Sequence, residues 1–234
     1  MAARRGDRSL DGWIDPEAGE GVDRIYQDVS GTSALKSLQV RIEGPRAIVD
    51  AAYEGNLRWV RWEISGDGRA TLEYEYGYDG VVELMGVHFA YPEEHMRGIR
   101  WLGRGPYRVW QNRRHGTTLD VWSNAYNDSV PGESFVYPEF KGYFDDWRWA
   151  RFETTEGSFA LTSDRTGTYL GVFTPRDGRD ALLYTLPETG LAVLDVIPAV
   201  RNKVNATDLV GPSSLPQRVS GTRRHTIFID LNVR

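Results

Sequence analysis

The sequence contains no cysteine and no long apolar run. Among 234 residues, zero cysteines exclude a disulfide framework and a thiolate metal site. They leave the cellular compartment open, because disulfide-free secreted proteins are common. The longest apolar stretches, such as residues 191–200, contain Asp195 and fall short of the ~18–20 residues that a membrane-spanning helix needs. We therefore expect no membrane span.

The motifs of the common enzyme classes are absent as well. The sequence has no Walker loop, no dinucleotide-binding fingerprint, no His-Glu-x-x-His zinc motif and no nucleophile elbow around a serine. Four histidines lie far apart, whereas metal sites usually need two close ligands and a third group. We expect no metal, no cofactor and structural or surface roles for these four: His88, His95, His115 and His225.

The charge and the aromatic content narrow the class of ligand. A net charge of -5 argues against a general nucleic-acid binder, which would carry a basic stripe for phosphates, and fits a neutral ligand better. The chain has 8 Trp and 12 Tyr, side chains that combine a flat apolar face with a polar edge. Sugars present the same combination, so we expect a carbohydrate ligand.

Alternating apolar residues predict an all-β fold. In residues 37–43 the apolar positions are Leu38, Val40 and Ile42, and residues 71–76 alternate in the same way, which predicts strands with one buried face. Residues 104–146 look like a long loop-rich region, and long loops usually serve function. Further strands are expected at 46–53, 57–64, 82–89, 98–103, 147–153, 159–162, 169–173, 191–197 and 223–233.

Three ordered stretches carry a family resemblance. Residues 101–106 read Trp-Leu-Gly-Arg-Gly-Pro, followed by a run rich in arginine and aromatic residues up to Gly116. Residues 137–143 read Tyr-Pro-Glu-Phe-Lys-Gly-Tyr, with Trp-Arg-Trp at 147–149, and residues 195–199 read Asp-Val-Ile-Pro-Ala. In order and spacing these stretches resemble the C-terminal sandwich of glycoside hydrolase family 2 β-galactosidases, from about Leu35 to Arg234.

The resemblance implies a large antiparallel supersandwich of the galactose mutarotase type, with long loops on one side. Residues 1–34 would be a partly ordered lead-in, and residues 35–234 the sandwich domain. Such a domain closes part of the sugar pocket of a catalytic barrel, which would lie elsewhere as a fused domain or a large subunit. In those enzymes the catalytic glutamates belong to the barrel, so no glutamate of this chain inherits their role.

The resemblance leaves the substrate and the compartment open. Those domains supply a tryptophan to the sugar pocket, but the matching residues 209–211 include none, so galactose specificity is not carried over. The expected ligand is a β-galactoside or a related oligosaccharide. The parent protein would be bacterial and either periplasmic, secreted or cytoplasmic.

The candidate sugar-binding residues lie on two stretches of the predicted loop region. Planar side chains stack on sugar rings, and guanidinium or carboxylate groups grip pairs of hydroxyls. Core or interface packing is the competing interpretation for each of them. The candidates are Arg104, Tyr107, Trp110, Asn112 and Arg113 on the first stretch, and Glu139, Lys141, Tyr143 and Trp147 on the second.

Two alternatives remain open at this point. The chain could act on a sugar by itself as a mutarotase-type enzyme, with His115 and Glu139 as general acid and base. It could instead be a stand-alone carbohydrate-binding module, which would bind sugars tightly in isolation. Whether the chain is itself an enzyme therefore depends on experiment.

Overall fold

A computed structural model describes residues 2–6, 26–28, 34–82, 84–126, 142–172, 190–199, 213 and 215–233. Apart from a short 3-10 turn at Glu93–His95, all regular structure in these residues is β-strand. The strands are β1 (Ala2–Gly6), β2 (Tyr26–Asp28), β3 (Ala34–Glu43), β4 (Arg46–Glu54), β5 (Leu57–Ser65), β6 (Arg69–Gly77), β7 (Gly80–Val82), β8 (Leu84–Phe89), β9 (Met96–Val109), β10 (Thr118–Ala125), β11 (Tyr143–Thr154), β12 (Gly157–Ser163), β13 (Tyr169–Val172), β14 (Leu191–Val196), β15 (Gln217–Val219) and β16 (Thr222–Asp230).

Fourteen strands form one antiparallel sheet, and β7 pairs separately with β15. The order along the main path is β2-β1-β8-β14-β13-β11-β12-β16-β6-β5-β4-β3, with the hairpin β9-β10 joined to β11. The predicted all-β, antiparallel architecture is thereby confirmed.

Strand β11 is where the sheet divides into two branches. Phe144 and Asp145 pair with β13, whereas the stretch from Trp149 to Thr154 pairs with β12. Between these two pairings Asp146 has a positive φ of 47°, a backbone conformation that aspartate tolerates better than most residues. The local twist at Asp146 directs the chain from one branch into the other.

The two branches enclose the hydrophobic core. One buried cluster contains Leu72 and Ile227 from the β6–β16 side and Leu170 and Val193 from the β13–β14 side. Aromatic side chains fill its centre, with the rings of Trp101 and Phe144 edge to face at 4.5 Å. Because both branches contribute to one core, they pack as the two layers of a sandwich.

The expectation of a long loop over residues 104–146 is wrong in part. Strand β9 continues to Val109, and β10 pairs with it from Thr118↔Gly105 to Ala125↔Gly98. Glycine and proline are common in loops, but here a Cβ at Gly105 would come within 2.7 Å of the Trp122 ring. Glycine is required there because β10 brings an indole against the backbone.

The expectation that residues 37–43 bury one face is also wrong. Leu38, Val40 and Ile42 are 57%, 62% and 73% exposed, although the strand itself forms as predicted. Strand β3 is the last strand of its branch, and no described residue of the other layer covers it.

The terminal strand β16 lies between β12 and β6, inside the sheet. Residues 1–34, predicted as a lead-in, contain β1 and β2, and β1 pairs with β8. The boundary at residue 34 stays a prediction. No helix in the described ranges is long and apolar enough to span a bilayer.

Candidate functional site

A cleft of about 420 Å³ lies beside the junction of β9, β11 and the turn that follows β9. Its lining is polar and includes three side chains singled out from the sequence, Arg104, Asn112 and His115. The remaining lining residues are Gln111, Arg114, Thr117, Asp145 and Ser213.

A tight turn presents this lining. The backbone N–H of Arg113 donates to the Trp110 carbonyl at 2.9 Å, and the Trp110 N–H donates back to Arg113 at 3.3 Å. Gln111 fixes the turn to distant segments, because its backbone N–H donates to Pro198 and its side-chain amide to the Leu215 carbonyl, each at 3.0 Å. The turn is therefore held from both sides, which orders the groups it carries into the cleft.

Two of the residues that line the cleft, Arg114 and Asp145, form an ion pair. Asp145 is 1% exposed, and Nη2 of Arg114 donates to both of its carboxylate oxygens, at 3.1 and 3.2 Å. The guanidinium also lies over the Tyr169 ring, 5.3 Å from its centroid. Burial raises the pKa of Tyr169, so its hydroxyl stays neutral beside the ion pair.

The cleft gathers some of the predicted sugar-binding residues and leaves others outside. Tyr107 and Arg113 are exposed near the turn but do not line the cleft. Trp110 and Tyr143 are buried and pack edge to face, with ring centroids 5.6 Å apart, and Trp147 is 0% exposed. Rings buried in this way offer no face to a sugar, so the packing interpretation fits Trp110, Tyr143 and Trp147 better. Glu139 and Lys141 lie outside the described residues.

A second polar cluster joins the two branches inside the core. Nε2 of His225 on β16 lies 2.9 Å from Oδ2 of Asp195 on β14, and the Tyr76 hydroxyl donates to the same oxygen. The Tyr74 ring stacks on the imidazole with centroids 5.3 Å apart. From the sequence we expect a structural or surface role for His225, and no role is predicted for the Asp195 side chain.

The pKa values of this cluster follow from its burial and its hydrogen bonds. Burial would raise the pKa of Asp195, but the bonds from His225 and Tyr76 and the nearby positive charges outweigh it, and the pKa is lowered. Burial, together with the Asp195 carboxylate, raises the pKa of Tyr76 well above its usual value. At neutral pH the cluster therefore holds a carboxylate that accepts two hydrogen bonds.

Comparison with known proteins identifies the family. The sequence profile of the beta galactosidase small chain family matches residues 15–186 of the 234-residue chain. The chain belongs to this family. Membership of this family implies association with a larger catalytic subunit or domain and supports an accessory, sugar-related role for the chain.

No curated protein sequence matches this chain. Among solved structures, it is similar to an aldose epimerase homologue from C. elegans, with 8% identity and a TM-score of 0.33, over 83% of this chain and 68% of that one.

Five residues that line the cleft were not predicted from the sequence. For two of them the sequence contains a feature that could have indicated a site. Asp145 lies between aromatic residues at the start of a strand, and a buried carboxylate needs a cationic partner. Arg114 stands next to His115 on the turn. Gln111, Thr117 and Ser213 left no signal, because only the tertiary fold brings them to the cleft.

Proposed function

We propose that this chain is a carbohydrate-facing accessory domain, or small subunit, of a β-galactosidase-like glycoside hydrolase. It docks on a catalytic barrel located elsewhere and helps to form that barrel's sugar pocket, where a β-galactoside or related oligosaccharide binds. The observation that supports this most is the family membership together with a polar cleft built from the residues of the Trp-Leu-Gly-Arg-Gly-Pro stretch and the turn after it.

The chemistry of the cleft favours binding over hydrolysis. A retaining glycosidase needs two carboxyl groups about 5 Å apart. Among the described residues that line the cleft only Asp145 carries a carboxylate, and Arg114 occupies both of its oxygens. The amide, hydroxyl and guanidinium groups of Asn112, Thr117 and Arg104 suit hydrogen bonds to sugar hydroxyls.

Strand β3 supplies a docking surface for the catalytic partner. Its apolar side chains continue the inner face of the β4–β6 layer past the point where the other layer ends. Leu38 pairs with Ala51, and Ala51 pairs with Val60. An apolar strand face exposed on a monomer is typical of a protein interface. The partner implied by the family is the large catalytic chain, and we assign β3 to it.

Two matched variants test the docking. Ile42→Glu places a charge on the exposed face of β3, whereas Leu119→Glu places the same charge at an exposed apolar position of β10. In co-purification with a β-galactosidase large chain, Ile42→Glu is expected to lose the complex and Leu119→Glu to keep it. Undiminished complex formation by Ile42→Glu would overturn the assignment of β3.

An activity assay tests the accessory role itself. The isolated chain is expected to leave nitrophenyl β-galactoside and other β-glycosides intact. Robust turnover by the purified chain would overturn the proposal. Because this assay needs no partner, its outcome is independent of the docking test.

One observation favours the mutarotase-type alternative, since His115 lies in the cleft and imidazole serves as general acid or base near neutral pH. Polarimetry on fresh α-galactose decides between the two. Acceleration that disappears in His115→Ala would favour the alternative, and a trace at the spontaneous rate would exclude it.

A further inference from the structure

The charge of this chain is distributed unevenly. The whole chain carries a net charge of -5, but residues 96–119 contain no aspartate or glutamate. The same stretch contains His115 and six arginines, which are Arg97, Arg100, Arg104, Arg108, Arg113 and Arg114. The overall acidity of the chain does not explain a segment with six arginines and no acidic residue. Where the fold places this segment therefore bears on its function.

The fold brings part of this cationic segment into the cleft. Arg104, Arg114 and His115 line it, against the single carboxylate of Asp145 among the described lining residues. Arg114 is neutralised, because Asp145 accepts from it at 3.1 and 3.2 Å. Among the described lining residues, a positive charge is therefore left in excess at Arg104.

The described residues give Arg104 only one weak side-chain contact. Its Nη1 lies 3.5 Å from the Thr117 carbonyl oxygen, the outer limit for a hydrogen bond, and no described carboxylate forms an ion pair with it. A guanidinium has five donors in a planar fork that matches a carboxylate. Most of these donors are left for a ligand.

We propose that the cleft recognises a sugar that carries a negative group, such as the carboxylate of a uronic acid or a sulfate ester, with Arg104 as the group that binds the anion. The inference rests on the proposed function and specifies its substrate class. Asn112 and Thr117 bind the neutral hydroxyls of the same ring, and Arg114 stays paired with Asp145. This replaces the neutral sugar expected from the overall charge of the chain.

The test compares ligands that differ only in charge. Galacturonic acid, its methyl ester, galactose 6-sulfate and galactose are titrated against the full chain by ligand-observed NMR at low salt. Both anionic sugars, or one of them, are expected to bind about tenfold more tightly than the neutral pair, because charge-assisted bidentate bonds are the stronger kind. The preference is expected to shrink as salt rises to about 0.5 M, since the cleft is open to solvent. If only one anion is preferred, that result identifies the anionic group.

Three variants test which arginine produces the preference for anionic sugars. Arg104→Gln is expected to bring the ratio between galacturonic acid and its methyl ester to about one, and Arg104→Lys to retain part of it, since lysine keeps the charge and loses the fork. Arg100→Gln removes an exposed arginine of the same strand that does not line the cleft, and is expected to retain the full ratio.

Three outcomes would overturn the inference or its assignment to Arg104. Equal binding of charged and neutral sugars would refute it while leaving a sugar-facing domain intact. No binding of any of the four sugars would also refute it, and the co-purification experiment would then still decide the accessory role. A preference that survives in Arg104→Gln would refute the assignment to Arg104, and its loss in Arg100→Gln would move the assignment to Arg100.

Discussion

The centre and the edge of one sheet branch share a sequence pattern and differ in environment. A single row of paired residues runs from Leu38 on β3 through Ala51, Val60 and Tyr74 to His225 on β16. Tyr74 and His225 are each 1% exposed, whereas Leu38 is 57% exposed. Period-two alternation sets which side chains share a face. Whether that face is buried depends on whether a second layer lies opposite.

The largest expected difference in the free energy of unfolding comes from a leucine-to-alanine substitution made once in the core and once on the exposed strand. Leu72→Ala removes a core side chain and is expected to lower the free energy of unfolding by about 2–5 kcal/mol, through lost burial and a cavity. Leu38→Ala, on the exposed strand, is expected to change it by less than about 0.5 kcal/mol. Urea unfolding of both variants measures the difference. Equal losses would show that the face of β3 is covered in the isolated chain.

The second expected effect sharpens the comparison with polar groups. Asp195 is buried at the centre and accepts hydrogen bonds from His225 and Tyr76. Asp50, near the edge, pairs with Arg41 at 2.6 Å and Arg61 at 2.5 Å, all at least partly exposed. Asp195→Asn is expected to cost about 1–3 kcal/mol. Asp50→Asn is expected to cost less, and adding salt should diminish only that smaller cost.

The pH dependence of the Asp195→Asn deficit follows from the lowered pKa of Asp195. A carboxylate whose pKa is lower in the folded state stabilises the fold above its unfolded value of about 3.9. That contribution is lost as the pH falls through the folded value. The deficit is therefore expected in full at neutral pH and should shrink as the pH falls below about 3.9, which urea titrations at pH 7 and at successively lower acid pH would show. A deficit independent of pH would contradict a charged Asp195.

The sequence predicts the strands well because alternation and turn residues are local. Leu72, Tyr74 and Tyr76 are buried as expected, and the turns around Gly44 and Gly68 join paired strands. The sequence did not predict the hairpin β9–β10. Its Gly105 makes room for the Trp122 ring, and a contact between residues this far apart in sequence leaves no local pattern. The exposure of β3 was not predicted for a related reason, because no local sequence pattern indicates how far the opposite layer extends.

The site is harder to predict than the strands. The motif at residues 101–116 pointed to Arg104, Asn112 and His115, but their common cleft depends on Asp145 and Ser213, which come from other parts of the chain. The aromatic residues of the same stretch split between exposed Tyr107 and buried Trp110. Composition indicates that planar groups are present, and only packing decides which of them faces a ligand.

The smallest expected effect on stability tests the edge directly. Val40→Lys adds a charge to the apolar face of β3, and Gln39→Lys adds it to the opposite, polar face of the same strand. Both are expected to change unfolding by less than about 0.5 kcal/mol. Only Val40→Lys should weaken co-purification with a β-galactosidase large chain, because a lysine ammonium on the apolar face of β3 would lose its hydration at that interface without gaining a partner. If Gln39→Lys reduced association equally, net charge would be the cause, and the apolar face of β3 would lose its role as a contact surface.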